Sequence, residues 1–73
     1  MADEPALAKD LERVQRWFAD KGLGLLISKD RYGVFWADLV RHPSGEVVAP
    51  RYGRGVSPAD AAARAGTRFL ADQ

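Results

Sequence analysis

The sequence predicts a small α+β domain in the order α-β-β-β-α, with a three-stranded antiparallel meander sheet and both helices packed on one face. Apolar residues recur at helical spacing in the first 20 positions and at a period of two between Leu23 and Gly53, and the helical spacing returns after Ser57. A chain of 73 residues has room for one domain, so we assign residues 1–73 to a single unit.

The first helix is predicted from a stripe of apolar side chains. These are Leu7, Leu11, Val14 and Phe18, with Trp17 at the border of the stripe. The acidic, proline-bearing segment at residues 3–5 is a typical start and Gly22 a typical stop. We therefore expect a helix of about 15 residues.

Three strands are predicted next, with the sequences LGLLISK, VFWADLVR and EVVAPRY. The turns DRYG and HPSG each end in Gly, which is typical of three-residue hairpin loops closed by a left-handed glycine. Such loops place Leu25 opposite Leu39 and Leu39 opposite Ala49. Pro50 cannot donate a ladder hydrogen bond, so we expect the third strand to be an edge.

This pairing divides the strand residues between two faces. We assign to the core the face with Leu23, Leu25, Ile27, Phe35, Ala37, Leu39, Val47 and Ala49. The other face carries Leu26, Trp36, Asp38, Val40, Val48 and Tyr52, with Trp36 expected opposite Tyr52 and Val40 opposite Val48. Two helices leave one side of the sheet uncovered, and an exposed apolar patch there indicates an interface. A register shifted by one residue would turn these side chains inward instead.

The segment GRGVSPADAAARA joins the third strand to a second helix. Ser57 is expected to cap the helix, Pro58 suits its first position, and Asp60 completes a capping-box-like pair. We expect Gly53 and Gly55 to let the edge strand turn into the helix. Helix capping and the turn of the strand explain the residues of this segment, so no phosphate-binding role is needed to account for them.

The element order and this junction resemble the double-stranded RNA-binding domain. In that family a glycine, any residue, glycine, any residue, serine pattern leads into a helix with alanines four and eight positions after the serine. The matching residues here are Gly53, Gly55, Ser57, Ala61 and Ala65, and Phe35, Ala37 and Leu39 match the alternating second strand. The resemblance covers nearly the whole chain and implies the αβββα fold.

The chain departs from that family where the family contacts RNA. A lysine pair follows the serine in the family and touches phosphates, whereas Pro58 and Ala59 stand here, with Asp60 next. The junction is also similar, more weakly, to those of HicB-type antitoxins and of phage integrase arm-binding domains. The resemblance therefore implies the fold without the lysine contacts.

Basic residues are concentrated in the middle of the chain. Residues 1–20 carry a net charge of −2, residues 21–54 carry +3, and the rest is neutral. The candidate nucleic-acid contacts are Lys29, Arg31, Arg41, Arg51 and Arg54, with Tyr32 or Trp36 as a stacking partner for a base.

The sequence offers little catalytic equipment. There is no Cys, the one His lies in a predicted hairpin turn, and no acidic or His cluster has metal-ligand spacing. We therefore expect no enzyme, no catalytic or metal site and no cofactor. The acidic first 20 residues contain no continuous apolar run, so we expect neither a signal peptide nor a membrane span, and the lack of Cys fits a cytoplasmic protein.

Two functions remain. The first is a protein-interaction module that binds a protein partner, or a second copy of itself, through the uncovered sheet face. The alternative is a nucleic-acid-binding domain for double-stranded RNA or DNA that uses the basic residues of the sheet and its turns.

Overall fold

The structure is a computed structural model and describes residues 10–73. Its elements are α1 (Leu11–Ala19), β1 (Leu23–Lys29), β2 (Phe35–Arg41), β3 (Val47–Gly55) and α2 (Pro58–Ala71). The strands form one antiparallel sheet in the order β1-β2-β3. Residues of both helices join residues of all three strands in a single core cluster. The predicted α-β-β-β-α order and meander are confirmed, and β3 is an edge as expected.

Helix α1 begins later than the sequence suggested. Asp10 is extended and its carboxylate accepts a hydrogen bond from the Arg13 backbone N–H at 3.3 Å, which makes Asp10 the N-cap. The helix is therefore nine residues long rather than about 15. The predicted start at residues 3–5 and Leu7 lie outside the described residues. Within α1, Val14 and Phe18 are fully buried, as the apolar stripe predicted.

The first hairpin has the predicted register. Leu25 pairs with Leu39 and Ile27 with Ala37, and Gly33 closes the turn with a φ of 82°. The Asp30 carboxylate accepts hydrogen bonds from the backbone N–H groups of Tyr32 and Val34. This aspartate therefore holds the turn from its first position, a role for which Asp is favoured.

The second hairpin has a longer loop than expected. Gly45 is left-handed, with a φ of 81°, but the Arg41 N–H donates to the Glu46 carbonyl at 2.8 Å, so the loop contains four residues. Leu39 still faces Ala49, because Val48 is an extra residue in a β-bulge. Val40 consequently pairs with Val47, and the predicted pair of Val40 with Val48 is wrong.

A second irregularity follows in β3. Between the pairs Leu39–Ala49 and Ala37–Gly53, one residue of β2, Asp38, lies opposite three residues of β3. Among those three, Pro50 has no N–H, and Arg51 has a φ of 50° and donates its N–H to Asp38 Oδ1 at 2.8 Å. The shift places Trp36 opposite Arg54, so the predicted pair of Trp36 with Tyr52 is wrong.

Helix α2 begins as the sequence predicted. Ser57 is the N-cap, and its hydroxyl accepts a hydrogen bond from the Asp60 N–H at 3.0 Å. Pro58 occupies the first turn, and the Asp60 carboxylate accepts from the Val56 N–H at 3.1 Å. The side chains of Ser57 and Asp60 therefore satisfy the N–H groups of Asp60 and Val56 at this junction.

Gly53 and Gly55 have a different role from the one expected, because β3 runs through both of them without turning. A Cβ on Gly53 would lie 2.7 Å from the Ala65 nitrogen, and one on Gly55 would lie 2.5 Å from the Ala61 nitrogen. The neighbours are helix backbone, which cannot move aside cheaply. These glycines therefore let α2 lie directly against β3.

The outer edge of β1 is covered by a side chain that the sequence did not single out. The amide of Gln15, on α1, accepts a hydrogen bond from the Leu25 N–H at 2.9 Å and donates one to the Leu25 carbonyl at 2.8 Å. It thus makes the two bonds that a neighbouring strand would make at this residue. An edge covered in this way offers no template for another strand at its centre.

We expect Gly53→Ala and Gly55→Ala each to lower the free energy of unfolding by about 2–3 kcal/mol, because the added methyl group would press on the backbone of α2. Gly24→Ala is the matched control, since its Cβ would lie at an ordinary 3.7 Å from Val40 Cγ2. That variant should be neutral or gain about 0.5 kcal/mol. Urea unfolding of the three proteins tests this, and equal effects at all three positions would contradict the close approach of α2.

We expect Gln15→Leu to lower the free energy of unfolding by about 1–2 kcal/mol, because it removes both hydrogen bonds to Leu25. The uncovered edge should also self-associate, which sedimentation velocity would detect. Arg16→Leu adds a similar apolar side chain to the exposed side of α1 and serves as the control. If both variants associate equally, the edge is not what drives the association.

Candidate functional site

The surface of the sheet opposite the helices is the candidate site. We call it the outer face, and its residues are Leu26, Ser28, Trp36, Asp38, Val40, Val47, Arg51 and Arg54, with Val48 in the adjoining bulge. The alternation of side chains along β1 and β2 sets these residues apart from the core residues Leu25, Ala37 and Leu39. The structure therefore brings together five of the six predicted face residues, and Tyr52 is the exception.

One end of the outer face is apolar. Leu26 is 56% exposed, and Val47 and Val48 are 51% and 47% exposed. Val40 is buried, although it is not part of the core cluster. Its Cγ2 lies beside Gly24 on the neighbouring strand, where an added Cβ would be 3.7 Å away. Val40 thus forms the floor of a small patch with exposed apolar side chains around it. Val47 had been assigned to the core, and the bulge at Val48 is the reason that it is exposed.

The other end of the outer face is centred on Trp36. Its indole Nε1 donates a hydrogen bond to Asp30 Oδ2 at 3.0 Å, which fixes the orientation of the ring. The Arg51 guanidinium lies 4.7 Å from the ring centroid and that of Arg54 lies 6.0 Å away, distances typical of cation–π contacts. Trp36 is thus a half-buried ring flanked by two exposed cations.

The indole bond also affects the charge of Asp30. This hydrogen bond is the largest cause that lowers the pKa of the Asp30 carboxyl, and the backbone bond from Val34 adds to it. Asp30 therefore stays ionised in ordinary buffers and holds both the turn and the Trp36 ring.

A shallow depression of about 330 Å³ lies beside the Trp36 ring. Its lining residues are Ser28, Lys29, Asp30, Trp36, Asp38, Pro50 and Arg51. It has the mixture of an aromatic wall and a few polar groups that binding sites use to orient a ligand.

The structure separates the five basic residues into groups. Arg51 and Arg54 flank Trp36. The Lys29 ammonium lies instead 5.7 Å from the centroid of the Phe35 ring, on the core side of the sheet. Arg31 lies in the first turn over the Tyr32 ring, and Arg41 forms an ion pair with Glu46 at 3.3 Å in the second hairpin. Two of the five candidate nucleic-acid contacts, Arg51 and Arg54, are therefore close to one another.

Tyr52 does not belong to the outer face, and its predicted place beside Trp36 is wrong. It is 8% exposed and is part of the core cluster. Its hydroxyl donates a hydrogen bond to Asp72 Oδ2 at 2.8 Å, and the Arg68 guanidinium lies 4.4 Å from its ring centroid. The left-handed Arg51 just before it changes the direction of the strand, so that Tyr52 points inward and Arg51 outward.

Residues 10–73 contain neither a cluster of metal ligands nor a membrane-spanning helix. No group of three or more His, Cys, Asp or Glu residues in this range is placed to hold a metal ion. No helix in it is long and apolar enough to cross a membrane. His42 is exposed in the second hairpin, as the sequence suggested.

Comparison with known proteins adds no family to this description. The chain matches no protein-family model, no curated protein and no solved structure. The resemblance to double-stranded RNA-binding domains stays a prediction, and the function has to be inferred from the residues of the chain itself.

The buried phenol of Tyr52 predicts a pH dependence of stability. Burial, followed by the bond to Asp72, raises its pKa from 10.0 to about 12, so the folded state favours the protonated phenol. The stability that this contributes is complete below pH 10 and is lost as pH rises toward 12. Tyr52→Phe should cost about 1 kcal/mol below pH 10. Urea unfolding of the native protein and of Tyr52→Phe, below pH 10 and near pH 12, tests this. A difference in unfolding free energy between the two proteins that does not change with pH would contradict the raised pKa of Tyr52.

Proposed function

We propose that the chain is a small, non-enzymatic protein-interaction module that works in the cytoplasm and binds a protein partner through the outer face. The observation that carries this proposal is the exposed apolar patch of Leu26, Val47 and Val48 on a sheet surface that no described element covers. Exposed apolar patches beside polar residues are typical of protein interfaces.

The edges of the sheet are poorer candidates for binding. Gln15 occupies the backbone of Leu25 on β1. On β3, Pro50 lacks an N–H, and the Arg68 guanidinium donates to the Tyr52 carbonyl at 3.4 Å. These features hinder the addition of a strand from a partner at either edge. They favour the outer face as the binding surface.

The residues of the outer face also suit the energetics of binding. Full burial of a side chain such as Leu or Val contributes about 1.5–3 kcal/mol, so burying the remaining exposed parts of three such residues contributes a few kcal/mol. Trp36 is the residue type most often found at the energetic centre of an interface, and the hydrogen bond to Asp30 already holds its ring in place. A preorganised ring loses little conformational entropy when a partner binds.

A nucleic-acid-binding function is the second candidate. It is favoured by the position of Arg51 and Arg54 beside an aromatic ring, a combination that nucleic-acid-binding surfaces use. The start of α2 does not add to it, since Pro58, Ala59 and Asp60 bring no positive side chain there. We therefore place this function second.

Site-specific photo-crosslinking in living cells of the source organism tests the proposal. A benzophenone amino acid at position 26 or 48 should give a discrete adduct with a protein. The same group at position 32 or 56, where the native side chains are 80% and 85% exposed, should give none. Trp36→Ala should reduce the adduct from position 26 by about tenfold or more, with unchanged circular dichroism.

Protease and nuclease digestion of the adducts separates the two functions. Adducts sensitive to nuclease alone would favour nucleic-acid binding. Equal crosslinking at all four positions, or none at 26 and 48, would contradict the use of the outer face.

A further inference from the structure

We infer that the outer face binds an acidic protein segment in which a carboxylate lies next to an apolar side chain. The carboxylate contacts the guanidinium groups of Arg51 and Arg54, and the apolar side chain covers Leu26 and Val40. This inference rests on the proposed function and names the chemistry of the partner. The observation that supports the inference is the pair of guanidinium groups, those of Arg51 and Arg54, beside the Trp36 ring.

The cations at this end of the outer face have no carboxylate partner within residues 10–73. Four arginines elsewhere do have one, since Arg16 pairs with Glu12, Arg41 with Glu46, Arg64 with Asp60 and Arg68 with Asp72, whereas Arg13 and Arg31 have none in this range. Arg51 and Arg54 form no ion pair with any carboxylate of the described chain, although both are exposed. Their charges are available to a partner.

The two carboxylates nearby are already engaged with the chain itself. Asp30 accepts hydrogen bonds from the Trp36 indole and from two backbone N–H groups, and Asp38 accepts the N–H of Arg51. Asp30 therefore positions the tryptophan, and Asp38 positions the bulge. The outer face keeps an excess of hydrogen-bond donors that a carboxylate-bearing segment would satisfy.

The backbone of Arg51 fits this role. A left-handed conformation is unfavourable for a residue with a Cβ, and here it is held by the bond to Asp38. The result is a guanidinium that lies on the Trp36 ring, 4.7 Å from its centroid. A guanidinium in contact with an aromatic face can still offer its in-plane N–H groups to a carboxylate in a bidentate manner.

A second copy of the chain is a poorer occupant. Two copies paired symmetrically over Trp36 would bring two sets of Arg51 and Arg54 together, and like charges in close contact disfavour association. A nucleic acid is also a poorer fit, since the apolar patch of Leu26, Val47 and Val48 would stay uncovered. An acidic segment with an apolar residue matches both ends of the outer face.

Selection from a phage library of random peptides of about 12 residues on the immobilised full chain tests the inference. The enriched peptides should combine Asp or Glu with a large apolar residue. A synthetic peptide of that sequence should bind less tightly by about tenfold between roughly 0.05 M and 0.5 M NaCl, because salt screens charge pairs. Arg51→Glu/Arg54→Glu should weaken it by about tenfold or more.

The control for that variant is Arg13→Glu/Lys21→Glu, which makes the same change in net charge at exposed positions on the helix side of the sheet and should leave binding within about twofold. Arg54→Glu alone keeps the β3 bulge intact. If the double variant does not fold, this single variant still shows whether peptide binding depends on the positive charge beside Trp36. Leu26→Ser tests whether peptide binding depends on the apolar end of the outer face. Duplex RNA and DNA of about 20 base pairs are titrated in parallel.

The outcomes separate the inference from the proposed function. Acidic peptides that lose affinity in both the Leu26 and the arginine variants would support it. Peptides that depend on Leu26, show no acidic bias and ignore the arginine variants would overturn it and leave the proposed function standing. If no peptide depends on Leu26, both are overturned. Salt-sensitive duplex binding that the arginine variants abolish, without such peptides, would overturn both in favour of nucleic acid.

Discussion

The contact between β3 and α2 is the constraint on which the rest of the fold depends. Because Gly53 and Gly55 let the helix lie directly on the strand, the residues that face the strand must be as small as Ala61 and Ala65, both fully buried. The centre of the core is therefore thin. Its volume is supplied at one side by the aromatic rings of Trp17, Phe18 and Phe69, whose centroids lie 5.0–5.8 Å apart in edge-to-face arrangements. In a chain this short, such a ring cluster replaces much of the apolar volume that longer domains place between sheet and helices.

The bulges of β3 allow one strand to serve both faces of the sheet. Nine residues of β3 lie along six of β2, and the three extra residues change which side chains point inward. Tyr52 is thereby placed in the core under α2, and Arg51 is placed on the outer face against Trp36. Without these irregularities the strand would alternate strictly, and the outer face would be more apolar and less basic.

The parts of the structure that local chemistry specifies were predictable. Ser57 and Asp60 identify the start of α2, and the turn DRYG sets the register of the first hairpin, because each rests on a hydrogen bond between near neighbours in sequence. The position of Tyr52 was not predictable in this way. It depends on a bond from the Arg51 backbone to Asp38, 13 residues away, and on the fit of the ring beneath Arg68. The outer face was therefore foreseen from its β1 and β2 residues and from Val48 on β3, whereas Tyr52 was wrongly placed on it and Val47 was missed.

The fixed ring of Trp36 has a practical consequence. The chain contains two tryptophans, and Trp17 lies on α1 beside Phe18 and Phe69, on the core side of the sheet. Trp36 lies on the opposite surface, with a carboxylate on its indole nitrogen and a guanidinium on its ring. Indole emission responds to nearby charge and to exclusion of water, so the fluorescence of a Trp17→Phe protein would come from the outer face alone. The domain therefore carries its own optical probe of occupancy, and no dye has to be attached.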